Sequence, residues 1–141
     1  MVTVGHVCGI SNCTYSLRIF FYYTTVAAVI TTPPDNLTVV SPDSATFNCT
    51  ATAKPRAVIQ WTINNGTVLT GTMGKFTITP STQGDCIITN PPSECMITST
   101  LDIADNVPND SGEYVCTAIN VAGNDTESAS LTVHGKDSIH N

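Results

Sequence analysis

The sequence predicts an all-β fold, and three observations carry that prediction. After Pro34 no segment joins a helix cap to an apolar stripe, whereas short Thr/Val/Ile runs recur between turn residues. Only 11% of residues are charged, against about 25% in a typical soluble domain, and Thr, Ser and Asn supply the polarity, a mix that favours strands and turns. Strict alternation then sorts the runs into faces. Phe47, Cys49 and Ala51 share one side of one run, Tyr114, Cys116 and Ala118 one side of another, and Leu101 with Ile103 one side of a third, so these sides belong in one core.

From the N-terminus, residues 1–27 stand apart. The stretch IFFYYTTVAAVI, Ile19 to Ile30, is too short and too polar to span a membrane, which takes about twenty apolar residues. Two readings remain open. Arg18 before an apolar core, with Val26-Ala27-Ala28 as a small-residue cleavage position, fits a signal-like segment, although YYTT interrupts it. Alternatively the segment is the remnant of a preceding module, since HVCGISN (6 to 12) aligns with YVCTAIN (114 to 120) at Val, Cys and Asn.

Pro33-Pro34 and Pro42 punctuate the entry into the strands, which are expected at Leu37–Val40, Ser44–Ala53, Val58–Ile63, Thr67–Leu69, Lys75–Thr79, Met96–Ile103, Gly112–Ile119 and Glu127–Val133. Asn64-Asn65-Gly66 supplies a tight turn between the third and fourth. The 141 residues give room for one domain, placed at 28–134, with a polar tail at 135–141.

Composition narrows the partners. Five Lys and Arg stand against eleven Asp and Glu, a net charge of −6, so no basic stripe exists to meet nucleic acid or an anionic membrane surface. Six cysteines could pair in fifteen ways. With no C-x-x-C pair and histidines only at His6, His134 and His140, a zinc cluster cannot be assembled, and no metal or cofactor is expected. Disulfides are the better account and imply an oxidising compartment. Asn-x-Ser/Thr triplets at Asn12, Asn36, Asn48, Asn65, Asn109 and Asn124 agree as a set with a glycoprotein. If the signal reading holds, Cys8 and Cys13 leave with it and four cysteines remain.

The stretch DSGEYVC, Asp110 to Cys116, places two carboxylates, a hydroxyl, a phenol and a thiol within seven residues. Nucleophilic catalysis there would need an oriented base, and within the domain the histidines offer only His134 at the end of the last strand. Alternation also turns Cys116 into the core, a poor place for a thiolate nucleophile. No enzyme activity and no small-molecule substrate are expected.

The same residues resemble the immunoglobulin superfamily over about Ala28 to Val133. Cys49, Trp61 and Cys116 match the family's Cys, Trp and Cys, and Asp110, Gly112, Tyr114 and Cys116 match its D-x-G-x-Y-x-C corner. Ala118, Asn120 and Gly123 are similar to the A-x-N-x-x-G pattern of the intermediate, or I-type, set. The resemblance implies an immunoglobulin-like β-sandwich of two antiparallel sheets with Greek-key connections. It further implies a Cys49–Cys116 disulfide, a Tyr114 hydroxyl closing the corner, and a Lys75–Asp110 ion pair. One departure stands at Asn106, where related domains place an apolar residue; with Val107 following, a local shift of this connection is expected. A second is CIITNPPSEC, which reads as a hairpin cross-linked by Cys86 and Cys95.

Alternation also points Val58, Gln60, Val115 and Ile119 outward as a binding face, while Asn48 lies on the opposite sheet, where a glycan would cover it. Asn65 and Asn124 fall at hairpin tips and Asn109 in the corner. The expected function is extracellular: a recognition module of a cell-surface or secreted protein, binding a protein partner, homophilic or heterophilic, in adhesion or receptor work. The alternatives are a structural spacer in a multidomain ectodomain and a soluble decoy or immune-type binder. A cytosolic muscle-type sandwich shares the fold but should not carry an oxidised Cys86–Cys95 pair.

Overall fold

The computed structural model describes residues 2–8, 13–19, 24–64, 66–83 and 94–139. In chain order the strands are β1 (Val2–Cys8), β2 (Cys13–Ile19), β3 (Val26–Thr32), β4 (Leu37–Val40), β5 (Ala45–Lys54), β6 (Val58–Ile63), β7 (Thr67–Leu69), β8 (Thr72–Met73), β9 (Phe76–Gln83), β10 (Cys95–Ile103), β11 (Gly112–Asn120) and β12 (Gly123–His134). One sheet has the order β3-β5-β10-β9-β8 and the other β4-β12-β11-β6-β7, with β1 and β2 a separate antiparallel hairpin. The parallel pairing of β4 with β12 departs from an otherwise antiparallel pattern.

The two faces of each strand follow the alternation in the sequence. Along β5, Ala45, Phe47, Cys49, Ala51 and Ala53 are buried, and along β10 so are Cys95, Ile97, Ser99, Leu101 and Ile103. Against them the second sheet lays Trp61, Tyr114, Cys116, Ala129, Leu131 and Val133. Phe47 stacks on Tyr114 at 5.1 Å between ring centroids and tilts against Trp61 at 6.2 Å. Each such ring buries on the order of 150–250 Å², so this trio dominates the core energetics. The indole N–H of Trp61 donates to Ser99 Oγ at 3.0 Å, satisfying a donor that burial would otherwise strand. Between β3 and β4 the chain changes sheets at Pro33-Pro34, two residues with no N–H to continue a ladder.

Strand β12 begins at Gly123, four residues before the expected Glu127, and four further departures from the sequence reading concern β3, β9, β8 and Asn106. Val26 and Ala27, assigned there to the 1–27 segment, lie in β3, which pairs with β5 through two register shifts that spoil any regular alternation. Strand β9 runs on through Pro80, because β8 covers only its first two residues and a proline is tolerated on the open edge beyond. Strand β8 has two residues, too few to carry a pattern.

The fourth concerns Asn106, where a displaced connection was expected. Asn106 itself occupies the core position, at 0% exposure, and Val107 is left 44% exposed. Its Nδ2 donates to the carbonyls of Asp43 at 2.8 Å and Ile103 at 2.9 Å, so the amide stitches two turns that an apolar side chain would only pack against.

The structural corner and the candidate recognition face

Asp110, Ser111, Gly112, Tyr114 and Cys116 of the DSGEYVC corner hold the fold. A 3-10 turn, Pro108–Asp110, leads into β11. The Tyr114 hydroxyl donates to the Asp110 carbonyl at 2.9 Å, and Asp110 Oδ2 accepts the Val107 N–H at 2.7 Å while pairing with Lys75 Nζ. Lys75 also donates to the Asp105 carbonyl at 3.4 Å, tying the start of β9 to the corner. Gly112 leaves room for the Asn64 side chain: a Cβ there would stand 2.2 Å from Asn64 Oδ1 and would displace that amide. Asn64 fills that space because its Oδ1 accepts the Glu113 N–H and its own N–H donates to the Glu113 carbonyl, both at 3.0 Å. Cys116 is bonded to Cys49 across the two sheets, so its sulfur is not a nucleophile. Cys95 is likewise disulfide-bonded and buried; Cys86, its expected partner, lies outside the described residues.

Burial, with the Asp110 carboxylate adding to it, pushes the Tyr114 phenol from 10.0 up to about 12. A raised pKa in the folded state means that folded protein holds this proton where unfolded protein has lost it. The associated stability, roughly 2–3 kcal/mol, is therefore fully present below pH 10 and is lost as pH rises towards 12. Phenolate absorbance at 295 nm should show one of the four tyrosines titrating only with unfolding, and Tyr114→Phe should remove that late step. A single transition near pH 10 for all four would contradict this burial account.

The outer face of the second sheet is built by register. Ile119 lies opposite Val58, Thr117 opposite Gln60 and Val115 opposite Thr62. Val58 is 66% exposed and Ile119 41%, whereas Gln60 and Val115 are half-buried. At the other end Val68, also exposed, pairs with Thr62, and an open depression of about 490 Å³ is lined by Thr62, Ile63, Asn64, Gly66, Glu113 and Val115. Glu113 shares the outward parity of Val115 and Ile119, and that parity alone could have flagged it. Val68 could not be found the same way, because its place follows from the hairpin register.

The outer face of the first sheet is different in kind. Thr46 Oγ1 donates to Asp102, Thr50 Oγ1 pairs with Thr98 Oγ1 at 2.9 Å, and Thr100 Oγ1 donates to Asn48 Oδ1 at 2.9 Å. Its polar groups are largely satisfied by one another. Of the triplet asparagines, Asn36, Asn48, Asn109 and Asn124 are exposed, and Asn36 Oδ1 accepts the Ser130 N–H at 2.8 Å. Asn12 and Asn65 lie outside the described residues. Asn124 pairs directly with Ile119, at the Val58 end of the face.

Asn120 organises that end, a role the sequence marked only as a pattern position. Its Nδ2 donates to the carbonyls of Val26 at 2.8 Å and Pro55 at 3.0 Å. Its Oδ1 accepts the N–H groups of Ala28, Ala122 and Gly123. One amide thus joins β3, the β5–β6 turn and the β11–β12 turn. Among the described residues no helix is long and apolar enough to cross a membrane, and no group of three His, Cys, Asp or Glu could hold a metal ion.

Comparison with known proteins agrees with this architecture. The chain is 32% identical over 99 residues to mouse (Mus musculus) leucine-rich repeat and immunoglobulin-like domain-containing nogo receptor-interacting protein 3, covering 70% of this chain and 14% of that protein. It is 35% identical over 97 residues to human (Homo sapiens) hemicentin-1, covering 69% of this chain and 1% of that one. Against chicken (Gallus gallus) protein sidekick-1 it is 31% identical over 104 residues, covering 71% and 4%. The chain therefore spans a small fraction of the curated relatives it matches. Among solved structures, two titin domains in complex with telethonin superpose with a TM-score of 0.65 at 23% identity, covering 91% of this chain and 57% of that one, a likeness of fold alone. A single titin domain superposes with a TM-score of 0.60 at 28% identity, covering 77% and 96%. The model of the immunoglobulin I-set domain matches residues 28–133, and with the Cys49–Cys116 bond, the buried Trp61 and the Tyr114 corner in place, the chain belongs to the immunoglobulin I-set family.

Proposed function

We propose that the domain is a protein-recognition module of an extracellular protein, adhesive or receptor in type, and that it binds through the outer face of β6 and β11. The observation that carries this reading is the Val58–Ile119 pair, side by side and exposed on a face with few charges, while the opposite face is laced by hydroxyl hydrogen bonds and carries the exposed Asn48 triplet. The Cys49–Cys116 bond and the bonded Cys95 support an oxidising compartment, and glycans at Asn36, Asn48, Asn65, Asn109 and Asn124 are part of the proposal. So is the Cys86–Cys95 link.

The test is to display the secreted, glycosylated chain as a tetramer and screen it against an array of ectodomains that includes itself, beside Ile119→Glu and Thr98→Glu. Binding should be lost at least tenfold in Ile119→Glu and kept in Thr98→Glu. Equal loss in both, or none in either, would overturn the choice of face. A spacer role is the second reading, favoured by the small share of each relative that this chain spans; it predicts no binding at all in the same screen.

A further inference from the structure

We infer that the occupant of the β6–β11 face is a second copy of this chain, docked with its strands running in the opposite direction and locked by two reciprocal ion pairs between Arg56 and Glu113. The inference rests on the reading of this face given above. In the strands β6, β7 and β11 the single charged residue is Glu113, at the end where β11 begins. Arg56 is exposed at the opposite end, two residues before Val58 and separated from it by the buried Ala57. At about 3.4 Å per residue the two charges sit roughly 27 Å apart along the strands.

Between them the face is arranged about a midpoint. The Gln60–Thr117 pair has Val58–Ile119 on one side and Thr62–Val115 on the other. A two-fold axis lying in the interface and crossing the strands at Gln60 and Thr117 brings each row against the row equidistant on the far side. Ile119 and Val58 then cover Val115 and Thr62 of the second copy, beside its exposed Val68. Sheets packed face to face cross at about 30°, and a rotation of that order carries Arg56, on the β6 side, over Glu113 of the second copy, on the β11 side. Symmetry makes the same contact twice, which is the requirement for a closed isologous pair. The net charge of −6 opposes non-specific self-association, so opposite charges at the two ends of the face select one register. Two strands of contact make an interface at the small end of the known range, and the pair should form only at high concentration.

The test is sedimentation velocity of the glycosylated chain from micromolar to submillimolar concentration, for the wild type, Arg56→Glu, Glu113→Arg, the double exchange, Ile119→Glu and Asn124→Gln. The wild type should dimerise, each single charge reversal should weaken association about tenfold or more, and the double exchange should restore it to within about threefold. Asn124→Gln should bind as well as the wild type or better. A dimer insensitive to the charge reversals, or not restored by the exchange, overturns the inference, as does association that vanishes in Asn124→Gln. A monomer in both the wild type and Asn124→Gln overturns it too, yet leaves recognition of a different partner standing. A dimer that survives Ile119→Glu removes the choice of face itself.

Discussion

Replacing Cys49 and Cys116 together by alanine should lower the unfolding free energy by about 4 kcal/mol, a large share of the roughly 5–15 kcal/mol that holds a domain folded. The physical reason lies mainly in the unfolded chain. The bond spans 67 positions, so without it the denatured state regains the freedom of a long loop. In the folded state both cysteines are completely buried in one core cluster, Cys49 in the β5–β10 ladder and Cys116 beside Trp61, and two alanines would leave a void there as well. Urea unfolding followed by Trp61 fluorescence measures the loss directly, since this is the chain's one tryptophan. A change below about 1 kcal/mol would falsify the view that the cross-link governs stability.

Asn120→Ala should cost about 3 kcal/mol and should loosen β3 before the rest of the sandwich. Five hydrogen bonds end on this amide, and each is worth about 0.5–1.5 kcal/mol net. The partners matter more than the sum. Strand β3 meets β5 through an irregular register, and its ties to the other sheet run through Asn120 and through Asp125, which accepts the Ile30 N–H at 2.8 Å. Hydrogen exchange should therefore accelerate first at Ala28 and its neighbours, with β10 and β11 protected. Asn120→Asp should fall between the wild type and alanine, because a carboxylate keeps the three N–H bonds to Oδ1 but faces the carbonyls of Val26 and Pro55 with no proton to donate. Uniform acceleration across all strands, or none, would show that the three segments are held by other means.

These three residues illustrate how unevenly the sequence discloses its own structure. The Cys-Trp-Cys spacing and the D-x-G-x-Y-x-C corner are legible because each position is irreplaceable for a local reason: a bond, a ring in the core, a hydroxyl that reaches back four residues. Asn120 was legible as a pattern position only, since the segments that it joins come from positions 26, 55 and 122–123, far apart in the chain. Ser99 is a similar case. Its inward parity with Leu101 is plain, but a serine in the core makes sense only once the indole of Trp61 is seen to donate to it.

The recognition face divides along the same line. Period-two alternation sufficed to point Val58, Gln60, Val115 and Ile119 away from the core. It could not set Val58 beside Ile119, nor bring Val68 next to Thr62, because those neighbours depend on which strands pair and in which register. Strand β3 was missed for a related reason: VAAVITT has no clean alternation, and only its docking against β5 makes it a strand.

By itself the sequence determined the fold class, the core-facing set and the structural nature of the DSGEYVC corner, since alternation, spacing and local turn chemistry act over short distances along the chain. The tertiary structure decided the rest: the place of β3 in the sheet, the burial of Asn106 as a hydrogen-bonded stitch, the reach of Asn120, and the positions of Arg56 and Glu113 at opposite ends of one face. Each of those depends on contacts between segments distant in sequence, and long-range pairing is fixed by the packing of the whole domain and by no residue alone.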